Sequence, residues 1–326
     1  MASFSHVDWR PQFDENEKPE ETRTIGFEFE AQIKELGEIH DDFKFLNEEW
    51  LDDEGVGIYE PDPENEDDDY YDEDWERDSS ARIDYIEENL LEKGVDCAGV
   101  GYDGGGKEFV TWPDSVSLFK KGGSERFKAL VKMLNENTKA DVSSGTHVHV
   151  SKLATDTPRT WDNIYWFCMC FSPQLQKLFG RRSRWAEVAL PSDYFTSTTD
   201  VSHKLFEAPK KRPLAPPQQA SKHAMVNDRG DRYEFRGPKS TNNLEEALAW
   251  AELCYNIVNL CANGYIKDMP FSEVLRGKHI RAYADRIGKE NPLRKLSSKE
   301  RATKISELGY VVVDLSNSRF EGGTCA

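Results

Sequence analysis

Four short segments of this chain place ionisable side chains on alternating positions. They are Gly26-Phe27-Glu28-Phe29-Glu30, Lys107-Glu108-Phe109-Val110, Gly145-Thr146-His147-Val148-His149-Val150 and Arg232-Tyr233-Glu234-Phe235-Arg236. Residues two apart on a β-strand project from the same face. Glu28 with Glu30, His147 with His149, and Glu234 with Arg236 are therefore expected to line one face, with Ile25, Phe27, Phe29, Val148, Val150, Tyr233 and Phe235 behind. Paired carboxylates suit hard cations such as magnesium, usually together with substrate phosphates. Imidazoles suit transition metals, and arginine suits bidentate recognition of phosphate. Each segment also has a plainer reading: glutamates facing water, core histidines with satisfied nitrogens, or a salt-bridged strand. The aromatics at 27 and 29 weigh against the first, because carboxylates on a buried strand are costly unless paired.

The elements that must carry these residues can be read from pattern. Strict alternation over 24–33 predicts a strand, and 108–112, 145–151 and 231–238 predict three more. Phe127, Leu130, Val131 and Leu134 space one apolar face of a helix over about 124–135. A helical region over about 161–179 is interrupted near Pro173 and stopped by Gly180. Asn243 with Glu246 three residues on reads as a capping box opening another helix. A strand is expected at Tyr310 to Leu315, and residues 208–220 read as a Pro-rich loop.

The acidic charge is local. Residues 52–78 hold 15 acids and one base, whereas the remainder carries 41 bases against 45 acids. The reading is a balanced body with an acidic insertion at about 40–96, expected to be disordered or a long surface excursion closed by a short helix near Ser80 to Leu91. The insertion lacks the Asp-x-Asp-x-Asp-Gly spacing of a calcium loop. A solvated arm, able to dock a protein partner, is the expectation. Nucleic-acid binding by charge is not expected, since phosphate neutralisation needs a basic surface and the nearest basic run is Lys210-Lys211-Arg212. No 18-residue apolar segment or signal peptide is expected. The six cysteines show no disulfide spacing, which points to a reducing cytoplasm. Domain limits are placed at 1–23 for an N-terminal arm, 24–264 for a catalytic body and 265–326 for an accessory region.

Gly101-Tyr102-Asp103-Gly104-Gly105-Gly106-Lys107 has the spacing of a phosphate-cradling loop up to its lysine. Glu108 follows where a Ser or Thr hydroxyl is needed, and the chain continues as strand instead of helix, so that reading is rejected. No Gly-x-Ser-x-Gly elbow is present, and neither Cys168 nor Cys170 has a base nearby in sequence.

The set is more specific than its members. In order it runs Glu-x-Glu, Glu, Gly-x-His-x-His, Glu-x-Arg. This order resembles the glutamine synthetase and glutamate–cysteine ligase superfamily, and within it the phage and bacterial amidoligases. The phrases that carry the resemblance are Ile25 to Glu30, Ser144 to Ser151 and Tyr233 to Gly237, with Gly180-Arg181-Arg182-Ser183-Arg184-Trp185 and His223 to Asn227 as weaker matches. It touches about 24–33, 100–113, 124–190 and 221–262. The glycine-rich turn before Glu108 is unusually short for the family.

The resemblance implies an α+β fold in which a curved, largely antiparallel sheet lines the site and helices flank it. It implies an ATP-dependent carboxylate–amine ligase working through an acyl phosphate, host-cytoplasmic if phage-encoded. Glu28, Glu30, Glu108, Glu234 and His147 would hold Mg2+, with Mn2+ as an alternative. His149, Arg236, Arg181 and Arg182 would face the nucleotide, and His147, Glu234 and Arg236 would serve the chemistry. A metal-dependent hydrolase built on the same residues is the first competing expectation. A non-catalytic phage-associated protein retaining the fold is the second.

Overall fold

The computed structural model describes residues 11–57, 71–103, 106–140, 144–180, 224–263 and 271–290. The alternation of Ile25, Phe27, Phe29 and Ala31 with Gly26, Glu28, Glu30 and Gln32 produces β1, Thr24–Ile33, the spine of the sheet. β1 pairs antiparallel with β3 (Gly106–Val110) on one side and β6 (Thr146–Ser151) on the other. Two short strands, β4 (Asp114–Ser115) and β5 (Thr138–Lys139), also pair with it. β2 (Gly99–Asp103) extends the sheet beyond β3, and β8 (Arg232–Phe235) and β7 (Val226–Asp228) extend it beyond β6. The order is β2-β3-β1-β6-β8-β7, and every pairing between these strands is antiparallel. Together with the helices, the architecture is a mixed α+β fold around an open antiparallel sheet.

β2 corrects the expectation of a turn over Gly101 to Gly106. Its glycines hide the strand period, yet Gly101 sits opposite Glu108 in a regular hairpin. A strand-to-strand hairpin here also agrees with rejecting the phosphate loop, which needs a helix after the turn.

Helices cover the apolar face. α3 (Val116–Lys121) and α4 (Glu125–Asn137) start at Ser115 and Ser124, whose hydroxyls accept from Leu118 N–H and Phe127 N–H. They deliver Phe119 and Phe127 onto Phe27, with ring centroids 5.7 and 5.3 Å away. Phe27 and Phe29 themselves stack at 5.2 Å, all four rings being buried. Burying such rings, at about 1.5–3 kcal/mol each, is what fixes which face of β1 turns inward.

α5 (Pro158–Cys170) and α6 (Ser172–Phe179) follow, with Gly180 left-handed at the end as expected. α7 (Leu244–Asn263) opens at Asn243, whose side chain accepts from Glu245 and Glu246 N–H. The reciprocal half of the expected box differs. Glu246 accepts instead from the Thr241 hydroxyl at 2.8 Å, and Asn243 N–H donates to that same Thr241 oxygen. The Thr241 hydroxyl thus takes the carboxylate's place at the cap's N–H.

The acidic insertion is more ordered than its composition predicts. A 3₁₀ segment at Asp41–Leu46, α1 (Glu48–Asp53) and α2 (Tyr71–Glu92) belong to it, and α2 begins well before the expected Ser80. Phe45, Leu46, Leu51, Ile86 and Leu90 all enter the core. Helical spacing lets these few apolar residues share one face while the acids stay outside. Arg82 then clamps Glu48 and Asp52 at 2.7 and 2.5 Å. Residues 58–70, the densest acidic run, lie outside the described residues, as do Lys210 to Arg212 and the expected strand at Tyr310 to Leu315.

The expected C-terminal accessory region contributes α8 (Lys278–Glu290), a helix its mixed composition concealed. Phe271, Val274, Ile280 and Tyr283 join the same core cluster as the sheet. At the other end, Gln12 exchanges backbone hydrogen bonds with Pro113 and Ser115, which ties residues from the N-terminal arm to the sheet edge. Among the described residues no helix is long and apolar enough to cross a membrane.

Candidate metal-binding site on the polar sheet face

The cross-strand register brings the four segments together. Glu30 stands opposite Glu108, Glu28 opposite His147, and His149 opposite Glu234, which in turn faces Asn227 on β7. Because the period is two, all these side chains rise from one face while Phe27, Phe29, Phe109, Val148 and Phe235 point to the other. Arg236 follows the last residue of β8, its N–H bonded to Met225 O. Arg181 and Arg182 lie outside the described residues.

The histidines and carboxylates interlock. His147 Nδ1 donates to Glu28 Oε2 at 2.8 Å, and its Nε2 lies 3.1 Å from Glu30 Oε1. His149 Nε2 is 2.9 Å from Glu28 Oε1. Glu30 Oε2 accepts the backbone N–H of Gly145, so the glycine before the histidine strand holds the second glutamate in place. Ser240 Oγ donates to Glu30 O from the segment after β8.

Glu234 accepts three side-chain hydrogen bonds, and it is only 1% exposed. Arg236 Nη1 donates to its Oε1 at 2.9 Å, while Arg229 Nε at 2.7 Å and Asn227 Nδ2 at 3.2 Å donate to its Oε2. Arg232 Nε donates to His149 Nδ1 at 3.2 Å. Asn227, Arg229 and Arg232 carried no assigned role in the sequence reading. The signal that could have found them is Asn227-Asp228-Arg229-Gly230-Asp231-Arg232, an Asp- and Gly-containing turn between short alternating runs. Gly230 has φ +92°, and the hairpin it closes returns Arg229 and Arg232 to the site.

Gly237, directly after the Glu-x-Arg pair, is a packing requirement. A Cβ there would stand 2.5 Å from Phe179 Cδ2 at the end of α6. Only a glycine lets α6 press this close behind Arg236.

Electrostatics follow from this crowding. Burial disfavours a charge on His147, but the Glu28 and Glu30 carboxylates outweigh it and lift its pKa to about 10. Burial would likewise raise Glu234, yet the two imidazoles, Arg229 and Arg236 bring it down to about 2. Burial also opposes ionisation of Glu28, and the neighbouring His149 and His147 hold it well below the ordinary carboxylate range. His149 Nδ1 accepts from Arg232 Nε, which leaves its Nε2 facing Glu28 Oε1.

Two observations test whether the residues fit a cation. Glu28, His149 and Glu234 each offer a ligand atom, and these atoms lie within 4.8 Å of one another. In addition, the buried Oδ1 of Asn227 has no hydrogen-bond partner among the described residues, and the buried Nε2 atoms of His147 and His149 are held only against carboxylate oxygens, at 3.1 and 2.9 Å. Buried polar atoms left this way call for an explanation. Two carboxylates with one imidazole form a donor set that a divalent cation fits. The sequence reading assigned His147 to the metal and His149 to the nucleotide, whereas the cluster with ligand spacing contains His149.

No protein-family model matches this chain, and no curated protein matches it. Among solved structures, it is similar to the cryo-EM structure of Plasmodium falciparum glutamine synthetase, with a TM-score of 0.32 and 12% identity over 74% of this chain. The match covers 52% of that chain, so this protein spans about half its length. A likeness of that size says nothing about chemistry.

Proposed function

We propose that this protein is an ATP-dependent carboxylate–amine ligase that works through an acyl phosphate and needs a divalent cation. The observation that carries this reading is the convergence of Glu28, His149 and Glu234 at ligand spacing on an antiparallel sheet face, with Arg236 on Glu234. The order of the motifs along the chain supports it independently.

In this reading the substrate carboxylate attacks the γ-phosphorus of ATP, ADP leaves, and the amine nitrogen then attacks the acyl carbon. Phosphate departs, the amine's proton passes to solvent or a site base, and an amide remains. Glu28, His149 and Glu234 hold one cation, Mg2+ or Mn2+, while Glu30 and Glu108 lie beside it as oxygen donors for another. The cation's contribution is to offset repulsion between the carboxylate and the triphosphate. The chain's own part is positioning and charge stabilisation, which is what phosphoryl transfer demands. Arg236, already beside Glu234, neutralises charge on the transferred phosphoryl group. Glu30 is fixed by the Gly145 N–H, so it presents a preset oxygen instead of a mobile one.

The imidazole in the cluster favours Mn2+ or zinc over magnesium, which keeps a metal-dependent hydrolase as the second reading. Thermal stabilisation separates the two. A shift produced by ATP with Mg2+ or Mn2+, and lost in Glu28→Gln and Glu234→Gln, supports the ligase. A shift with zinc alone and none with ATP sinks it in favour of the hydrolase.

A further inference from the structure

We propose that Arg229 is an internal competitor of the divalent cation. In the cation-free chain its guanidinium holds the Glu234 carboxylate, and it withdraws when the cation takes that oxygen. The inference rests on the cation site of the function proposed above, and it adds a control element that neither the motifs nor the resemblance assigns.

The argument begins with the bonds of Glu234. Both of its oxygens are engaged, Oε1 by Arg236 and Oε2 by Arg229 and Asn227. A cation bound at Glu28, His149 and Glu234 adds positive charge within a few ångströms of two guanidiniums. One of them has to give way, because like charges repel strongly in a partly desolvated site. The two differ in what withdrawal costs. The Arg236 side chain is 22% exposed and follows directly from β8, whereas Arg229 is 44% exposed at the tip of the β7–β8 hairpin. Arg229 can turn into water with little loss of packing, and a half-exposed ion pair is inexpensive to break.

The same hairpin supplies the second obstacle. Arg232 Nε donates to His149 Nδ1, and the ring's Nε2 lies 2.9 Å from Glu28 Oε1. A cation at His149 therefore meets a ring whose other nitrogen already accepts from a guanidinium, so Arg232 adds a further positive charge beside the ligand. Both arginines therefore lie at the same end of the β7–β8 hairpin, Arg229 in its turn and Arg232 at the first residue of β8.

The experiment is calorimetric titration of the full chain with Mn2+, without nucleotide, comparing wild type with Arg229→Gln and Arg229→Lys. Arg229→Gln is expected to bind Mn2+ about tenfold more tightly, since it removes the competing charge. Arg229→Lys, which keeps the charge, should stay near wild type and controls for an effect of truncation alone. Unchanged or weaker binding by Arg229→Gln, with wild type binding normally, overturns the competitor and leaves the ligase reading standing. A failure of both wild type and Arg229→Gln to bind Mn2+ overturns the cation site, and the ligase reading and the competitor with it.

Discussion

Glu30 and Glu108 face each other directly across the β1–β3 ladder. Like charges in that relation cost the sheet up to about 1 kcal/mol. On the ligase reading proposed above, a cation placed between them would offset that repulsion. Glu108→Gln should therefore raise the melting temperature of the cation-free protein and reduce the further rise produced by Mg2+ or Mn2+. Differential scanning fluorimetry with and without the cation reads both effects. A drop in the cation-free melting temperature would show that Glu108 stabilises the sheet on its own, against this view.

A second acid works on the other side of the sheet. Glu48 of α1 bonds Lys107 of β3, Arg82 of α2 and the Tyr102 hydroxyl of β2. Burial acts on both partners of the central pair. Partial burial raises Glu48, but Lys107 and Arg82 bring it below its usual value; burial lowers Lys107 despite Glu48. Lys107 is 3% exposed and Glu48 47%, so burial weighs most on the lysine. The pair then offsets most of the cost of an inward lysine and does not add a surplus. A carboxylate with a depressed folded pKa contributes stability above its unfolded pKa and loses it as pH falls through the folded value. Wild type should thus be more stable than Glu48→Gln at neutral pH, and the gap should close as pH drops below about 4.5. Chemical denaturation at several pH values tests this; a gap that persists at pH 3 contradicts it.

The legible part of the site was the part that depends on period two. Glu28-x-Glu30 and His147-x-His149 share a face in any strand, and the register only had to align them. The strands and helices dense in aromatic and aliphatic residues, such as β1 and α4, were legible for the same reason. What escaped depends on return of the chain. Arg229 and Arg232 reach the site because a hairpin folds back, and no local spacing relates Arg229 to Glu234 except through that turn. β2 escaped because its glycines carry no side-chain alternation, and α1 because acids dominate its composition while a single leucine does the burying.

Position of the sheet's first strand rests on one buried ion pair. Arg23 donates to both oxygens of Asp156 at 2.7 and 2.5 Å and to Ser151 O at 2.8 Å, and both side chains are 3% exposed. Asp156 also accepts Leu153 N–H, so the pair ties the start of β1 to the chain leaving β6. Asp156→Ala strands a buried guanidinium and should cost about 3–5 kcal/mol. The urea midpoint should fall with the m-value unchanged. A loss under 1 kcal/mol would mean that water already reaches Arg23.

The docking of α8 turns on a carboxylate borrowed from another helix. Glu252 lies in the middle of α7 and is only 2% exposed. Its Oε2 accepts the N–H groups of His279 and Ile280, the first-turn donors of α8 that have no intrahelical acceptor. A carboxylate at that end also meets the positive pole of the helix. Gly277, just before α8, allows the approach, because a Cβ there would collide with the same carboxylate. Gly277→Ala and Glu252→Ala should therefore produce one phenotype by different routes, steric in the first and loss of acceptors in the second. Each should cost about 1–3 kcal/mol. Hydrogen exchange should quicken selectively in 278–290, with β1 and β6 still protected. Glu252→Gln, which retains one acceptor oxygen and loses the charge, should fall between wild type and alanine. If exchange quickened equally in β1, α8 would be part of the global unfolding unit, and the cap would hold the whole core and not only its last helix.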